Sequence, residues 1–239
     1  IDAEPAGFKP LVPFKTSEEL IEKSIACFTK LRPFFGECLK KMQELKHLDL
    51  ESRKGKAPGG YNCPLAESGA PFIFMNAAGQ MHDVTTMLHE GGHAVHSFLA
   101  HPLELSGFKE YPMEIAEVAS MAMELMSMDE WETFFTDASD LKRAKAHQLE
   151  RVITIFPWIA IIDKFQHWIY EHPVHTHEER RVTWNEILKE FQDDVIDYSG
   201  LETYRSNGWQ RQLHLFEVPF YYIEYGIAQL GAIGMWMQY

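Results

Sequence analysis

His89-Glu90-Gly91-Gly92-His93 is the stretch on which the reading of this 239-residue chain turns. It is expected on a helix that begins near His82 or Asp83 and runs to about Leu99, with Pro102 beyond it. On a helix, positions i and i+4 lie one turn apart on one face. Two imidazoles so placed can reach one Zn²⁺ at about 2.0–2.1 Å each. Glu90 sits about 100° round from His89, close to that metal without binding it. A general base for a metal-bound water belongs there. In a chain with 12 histidines the motif needs context, since a surface helix with a solvated His-Glu-His face is the plain alternative. Gly91 and Gly92 supply some of that context. Each costs about 1 kcal/mol relative to Ala in a helix interior. They are useful where another backbone or a substrate must come close.

A catalytic zinc takes a third protein ligand and keeps a fourth position open. The next acidic helix, expected over 113–128, offers Glu114, Glu117 and Glu124. Glu117 and Glu124 are seven apart and share a face. Their neighbours Ile115, Ala116, Val118, Met121, Ala122 and Leu125 are apolar, and carboxylates in such a stretch are expensive to bury unless paired or metal-bound. Glu117 as ligand, with Glu124 holding the N–H of a ligating imidazole, is the pairing this suggests. The alternative is that these glutamates face solvent.

Phe72-Ile-Phe-Met-Asn76 reads as a short strand ahead of the metal helix, with Ala77-Ala-Gly-Gln80 as the turn between them. An exposed edge on that strand would let an extended peptide pair with it. Phe74, with Gly79 in the turn, is then a candidate substrate contact; the alternative, which the aromatic content alone favours, is an ordinary core hairpin. Asp83 is a candidate cap of the following helix. Further upstream, Pro5, Pro10 and Pro13 mark an extended lead-in. Thr16 and Glu19 form a capping-box pattern, and one long helix is expected from there to about His47, kinked at Pro33. Residues 49–71 read as loop. After Pro112 helices are expected near 113–128, 130–136, 139–170, 178–197 and 209–237, with Pro157 and Pro219 interrupting two of them. The fold class is mostly α with one small β element. No domain boundary is evident.

Composition sets outer limits. Lys and Arg number 22 against 35 Asp and Glu, a formal charge of −13. Such a balance argues against a general nucleic-acid binder and against a polybasic membrane anchor. No apolar run approaches the roughly 20 residues that span a bilayer. Cys27, Cys38 and Cys63 are odd in number and contain no C-x-x-C, which favours reduced thiols and a cytoplasmic location. His96 is expected to pack rather than to ligate. His172, His175 and His177 are expected in an exposed loop.

His89-Glu-Gly-Gly-His-Ala-Val-His96, with Glu117-Val-Ala-Ser120 downstream, resembles the zinc oligopeptidases of the thimet oligopeptidase/oligoendopeptidase F family, and most of all its oligoendopeptidase F branch. Phe72–Asn76 with Gly79 and Asp83-Val-Thr-Thr-Met-Leu88 fits the same pattern. So does Phe216-Glu-Val-Pro-Phe-Tyr-Tyr-Ile-Glu-Tyr225. The resemblance implies a helical, two-lobed, zincin-like enzyme with a channel for short peptides. It implies one Zn²⁺ per chain on His89, His93 and Glu117, with Glu90 as base. It also implies that His214 and a tyrosine among Tyr221, Tyr222 and Tyr225 steady the oxyanion, a choice the spacing leaves open. Family members are considerably longer, so residues 1–239 are expected to be a catalytic domain. A peptide-binding homologue without catalysis is the rival reading.

Overall fold

The computed structural model describes residues 9–192 and 196–239. Pro5 and the expected helical stretch at 193–195 fall outside them. The chain divides into two compact units, one formed by Ile1–Gln148 with Ala228–Tyr239, the other by Leu149–Ile227.

In the first unit, α1 (Ser17–Leu31) starts at Thr16, whose hydroxyl accepts from the Glu19 N–H. The expected single helix to His47 is instead two. Arg32 is extended (φ −155°, ψ 135°), and α2 (Pro33–Glu44) begins at the proline itself. A proline pushes its predecessor out of the α region and is at ease as the first helical residue, so Pro33 breaks the helix rather than kinking it.

The segment read as loop contributes two strands. Strands β1 (Leu48–Glu51), β2 (Tyr61–Cys63) and β3 (Phe72–Ala77) form one sheet in the order β1-β3-β2. β1 runs parallel to β3, with Leu48 opposite Ile73, and β2 runs antiparallel, with Tyr61 opposite Phe74. Alternation along β3 buries Ile73, Met75 and Ala77 on one face. The expectation of a free edge on β3 is therefore corrected. Both its sides are paired, and the outer edges belong to β1 and β2. Between those two strands Lys56 turns back to β1, its ammonium bonding to the Asp49 and Glu51 carbonyls at 2.9 Å each and lying 4.4 Å from the Phe74 ring centre.

β3 leads into α3 (Met81–Ala100) through Gly79, which takes φ +88°. Asp83 caps the helix from its third position, accepting from the Ala78 and Gln80 N–H groups at 2.8 Å each. α4 (Met113–Met126) follows and passes into a 3₁₀ segment, Ser127–Thr133, where Trp131 is fully buried. α5 (Ala138–Glu171) contains Pro157 without interruption. The carbonyl four residues earlier belongs to Ile153, which is 69% exposed, so water can take the place of the missing N–H.

The second unit packs Ile159, Ile162, Phe165, Trp184, Ile187, Leu188 and Trp209 into its own core. Phe165 meets Trp184 edge to face at 4.9 Å. Helix α6 (His177–Phe191) is capped by Thr176 and Glu179 and ends at Phe191, short of the expected 197. The helix expected over 209–237 is also shorter than read. Short turns α7 (Glu202–Ser206) and α8 (His214–Glu217) precede α9 (Tyr222–Trp236). The break falls at Pro219 and Phe220. Phe220 sits at φ +61°, and its N–H donates to Gln166 Oε1 at 3.0 Å.

Candidate metal centre

α3 and α4 bring the expected donors together. His89 Nε2 lies 3.2 Å from Glu117 Oε2, and His93 Nε2 lies 3.6 Å from the same oxygen. All three donor atoms fall within 4.8 Å of one another. A tetrahedral ion with arms of about 2.0–2.1 Å has ligand–ligand edges of about 3.3–3.4 Å, so the set fits zinc. Glu114 is not part of it.

Close helix packing makes this possible. A Cβ on Gly92 would stand 2.7 Å from the Ala119 carbonyl oxygen and from Ser120 Cα. A Cβ on Gly91 would stand 2.6 Å from the Phe28 ring. Gly92 thus lets the α4 backbone lie directly against α3, one turn from Glu117. The glycines serve an approaching backbone and an aromatic ring.

Hydrogen bonds orient two of the three candidate ligands. Glu124 Oε1 accepts from His89 Nδ1 at 2.7 Å, leaving Nε2 for the metal. Ser120 Oγ donates to Glu117 Oε2 at 3.2 Å. Glu117 and Glu90 are both buried, at 4% and 6% exposure. Burial alone would push the His89 pKa down, but its hydrogen bonds to Glu117 and Glu124 outweigh that and hold it well above 6.5. His93 is pushed down to about 4 by burial and then by the charge on His89. Without metal, an imidazolium at His89 supplies the positive charge that the buried carboxylates demand. Burial raises Glu90 to about 7.

Asn62, on β2, was not legible as a site residue. Its side-chain amide donates to the Glu90 carbonyl at 3.2 Å, tying the sheet edge to the metal helix. Phe74 lies flat against Tyr61, with ring centres 5.0 Å apart, and does not offer a free strand edge to a peptide. Gly79 shapes the turn into α3. His96 stacks on Tyr111 at 4.0 Å and packs as expected.

His214 and the three tyrosines cluster in the second unit. Trp158 Nε1, which can only donate, bonds to Gln212 Oε1 at 3.2 Å. This turns the Gln212 amide nitrogen toward His214 Nδ1, 2.6 Å away. His214 therefore carries its proton on Nε2 and donates it to the Tyr225 hydroxyl oxygen at 3.2 Å. Tyr225 and Tyr221 line a cavity with His214, Glu217 and Val218. Tyr222 does not share that position. It is buried in the core of the second unit, with its ring 5.1 Å from that of His214.

Two histidines a turn apart, a buried glutamate between them and a carboxylate from the next helix, all in a mostly helical chain, define a zincin-like fold. The chain belongs to peptidase family M3, whose profile matches residues 35–239. It is 23% identical over 202 residues to the chromosomal oligoendopeptidase F of Lactococcus lactis subsp. cremoris, covering 82% of this chain and 31% of that protein. An oligoendopeptidase F homolog of Borreliella burgdorferi is 24% identical over 233 residues, covering 93% of this chain and 38% of that one. The solved structure of PZ peptidase A with inhibitor 2 superposes with a TM-score of 0.87 at 33% identity, over 96% of this chain and 40% of that one. The chain thus spans less than half the length of these relatives. No helix among the described residues is long and apolar enough to cross a membrane.

Proposed function

We propose that the protein is a zinc metalloendopeptidase that hydrolyses internal bonds of short peptides. The observation that carries this reading is the buried Glu90 carboxyl on the turn that also presents His89 and His93 toward Glu117. Zinc held by these three residues would supply Lewis-acid polarisation of the scissile carbonyl and of water. Three protein ligands is the number used by catalytic rather than structural zinc.

Glu90 takes the proton of the attacking water and delivers it to the leaving amine nitrogen. Glu124 holds His89 in the tautomer with Nε2 unprotonated once its proton has left. His214 donates to Tyr225, which orients the phenol to give its own proton in a hydrogen bond to an oxyanion. This assignment of Tyr225 is supported by the Trp158-Gln212-His214 order of donors and by the sequence resemblance. Peptides are the proposed substrates because the relatives are named as oligoendopeptidases. The three free cysteines are in keeping with a reducing cytoplasm.

Substitution Glu90→Gln is expected to leave zinc bound in a 1:1 ratio while lowering kcat about 10²–10⁴-fold on a quenched fluorescent peptide. Near-normal turnover in that variant would remove Glu90 from the role. Zinc binding without cleavage by the wild-type protein would favour a peptide-binding homologue instead.

A further inference from the structure

Gln148 lies on α5, far in sequence from the metal motif, and is buried. Its Nε2 donates to Glu124 Oε2 at 2.7 Å. The other oxygen of the same carboxylate, Oε1, accepts from His89 Nδ1 at 2.7 Å. Amide, carboxylate and imidazole thus form one continuous line from α5 through α4 to α3. The amide's orientation follows from chemistry, since turning it over would set its oxygen against a carboxylate oxygen.

Its own Oε1 is buried and has no hydrogen-bond partner among the described residues. A side chain present only to fill this space would not carry such an acceptor. Leucine or methionine would pack there without an uncompensated polar atom. The donor end of the amide is what accounts for a glutamine.

We propose that Gln148 is a positioning residue of the metal centre. It fixes the plane of the Glu124 carboxylate so that Oε1 meets His89 Nδ1, and so holds His89 Nε2 toward Glu117 and His93. The proposal rests on the reading that these three residues hold zinc. It adds a third helix to the two that carry the motif. Partners outside the ligand set are worth about 10–100-fold in metal affinity elsewhere. A donor one bond further out is expected at the lower end of that range.

The test is zinc affinity, measured by chelator competition on the purified metal-stripped protein. Variants are Gln148→Leu, Gln148→Met, Glu124→Ala and the two double substitutions, with melting of each metal-free form followed by circular dichroism. Gln148→Leu is expected to weaken zinc about tenfold in the wild-type background. It should change affinity less than about twofold when Glu124 is already Ala, because the group it orients is gone. Gln148→Met provides the same comparison if the leucine variant does not fold. The visible spectrum of the Co²⁺-substituted Gln148→Leu protein is expected to shift, a change that a purely packing role would not produce. Unchanged zinc affinity, or an equal loss in both Glu124 backgrounds, overturns the proposal. If wild-type protein binds no zinc and His89→Ala changes nothing, the metal centre itself is wrong and the proposal falls with it. If zinc binds and only the Gln148 variants are indifferent, the metal centre stands and this inference alone is lost.

Discussion

At the scale of single residues, the side chains with the plainest chemistry were the easiest to anticipate. His89, His93, Glu90 and Glu117 declare themselves through spacing and through the cost of placing carboxylates in an apolar stretch. The tyrosines do not, because a phenol serves equally well in a core and in a site. Hydrogen-bond direction separates them. Trp158 can only donate, and that one constraint propagates through Gln212 and His214 to Tyr225. Tyr225→Phe is therefore expected to lower kcat about 10²–10³-fold with little change in KM. Tyr221→Phe should have the smaller effect. Steady-state kinetics on one peptide with both variants decides it, and a larger loss at Tyr221 would reassign the donor.

Elements show where local pattern misleads. Helical periodicity runs across Pro33, yet the chain breaks there, because Arg32 is forced into an extended conformation. Pro157 has no such effect, since the carbonyl it deprives lies beside the exposed Ile153. The same residue type thus ends one helix and is absorbed by another. β1 and β2 read as loop because each is only three or four residues long; both are held by pairing with β3, and Lys56 further ties down β1. The α3–α4 contact is the element-scale feature on which the metal centre depends. Gly92→Ala is expected to force the helices apart, cost about 1–3 kcal/mol of stability and weaken zinc binding as Glu117 is displaced. Denaturant unfolding together with zinc competition would test this. A variant as stable and as tight as wild type would mean that α4 can shift without consequence.

For the whole molecule, the proposed metal centre sets buried carboxylates beside imidazoles, and its behaviour should follow pH. His89 is held protonated above its usual range, whereas His93 is already neutral. A group whose folded pKa is raised contributes stability that is complete below its unfolded value, near 6.5, and is lost as pH rises through the folded value. Zinc must displace that proton, so its affinity is expected to increase as pH rises toward the raised His89 value. At zinc concentrations about 100 times Kd, the ion should add about 2.7 kcal/mol of stability. Melting curves with and without zinc across this range test the point, and a gain that falls with rising pH would contradict it. The formal charge of −13 argues against a general nucleic-acid binder without indicating any other role.

The sequence by itself determined the class of fold and the candidates proposed as metal ligands and base. Those rest on short-range spacing along a helix, which the peptide geometry makes regular. The tertiary structure decided which helix carries which proposed ligand, why two glycines stand inside the motif, and which two tyrosines line the cavity beside His214. Gln148 and Asn62 reach the candidate metal centre only because distant segments of the first unit pack together, and no local pattern records such meetings. An amide carries no signature of its own. Its role is set by the groups it is packed against, and these become known only when the chain has folded.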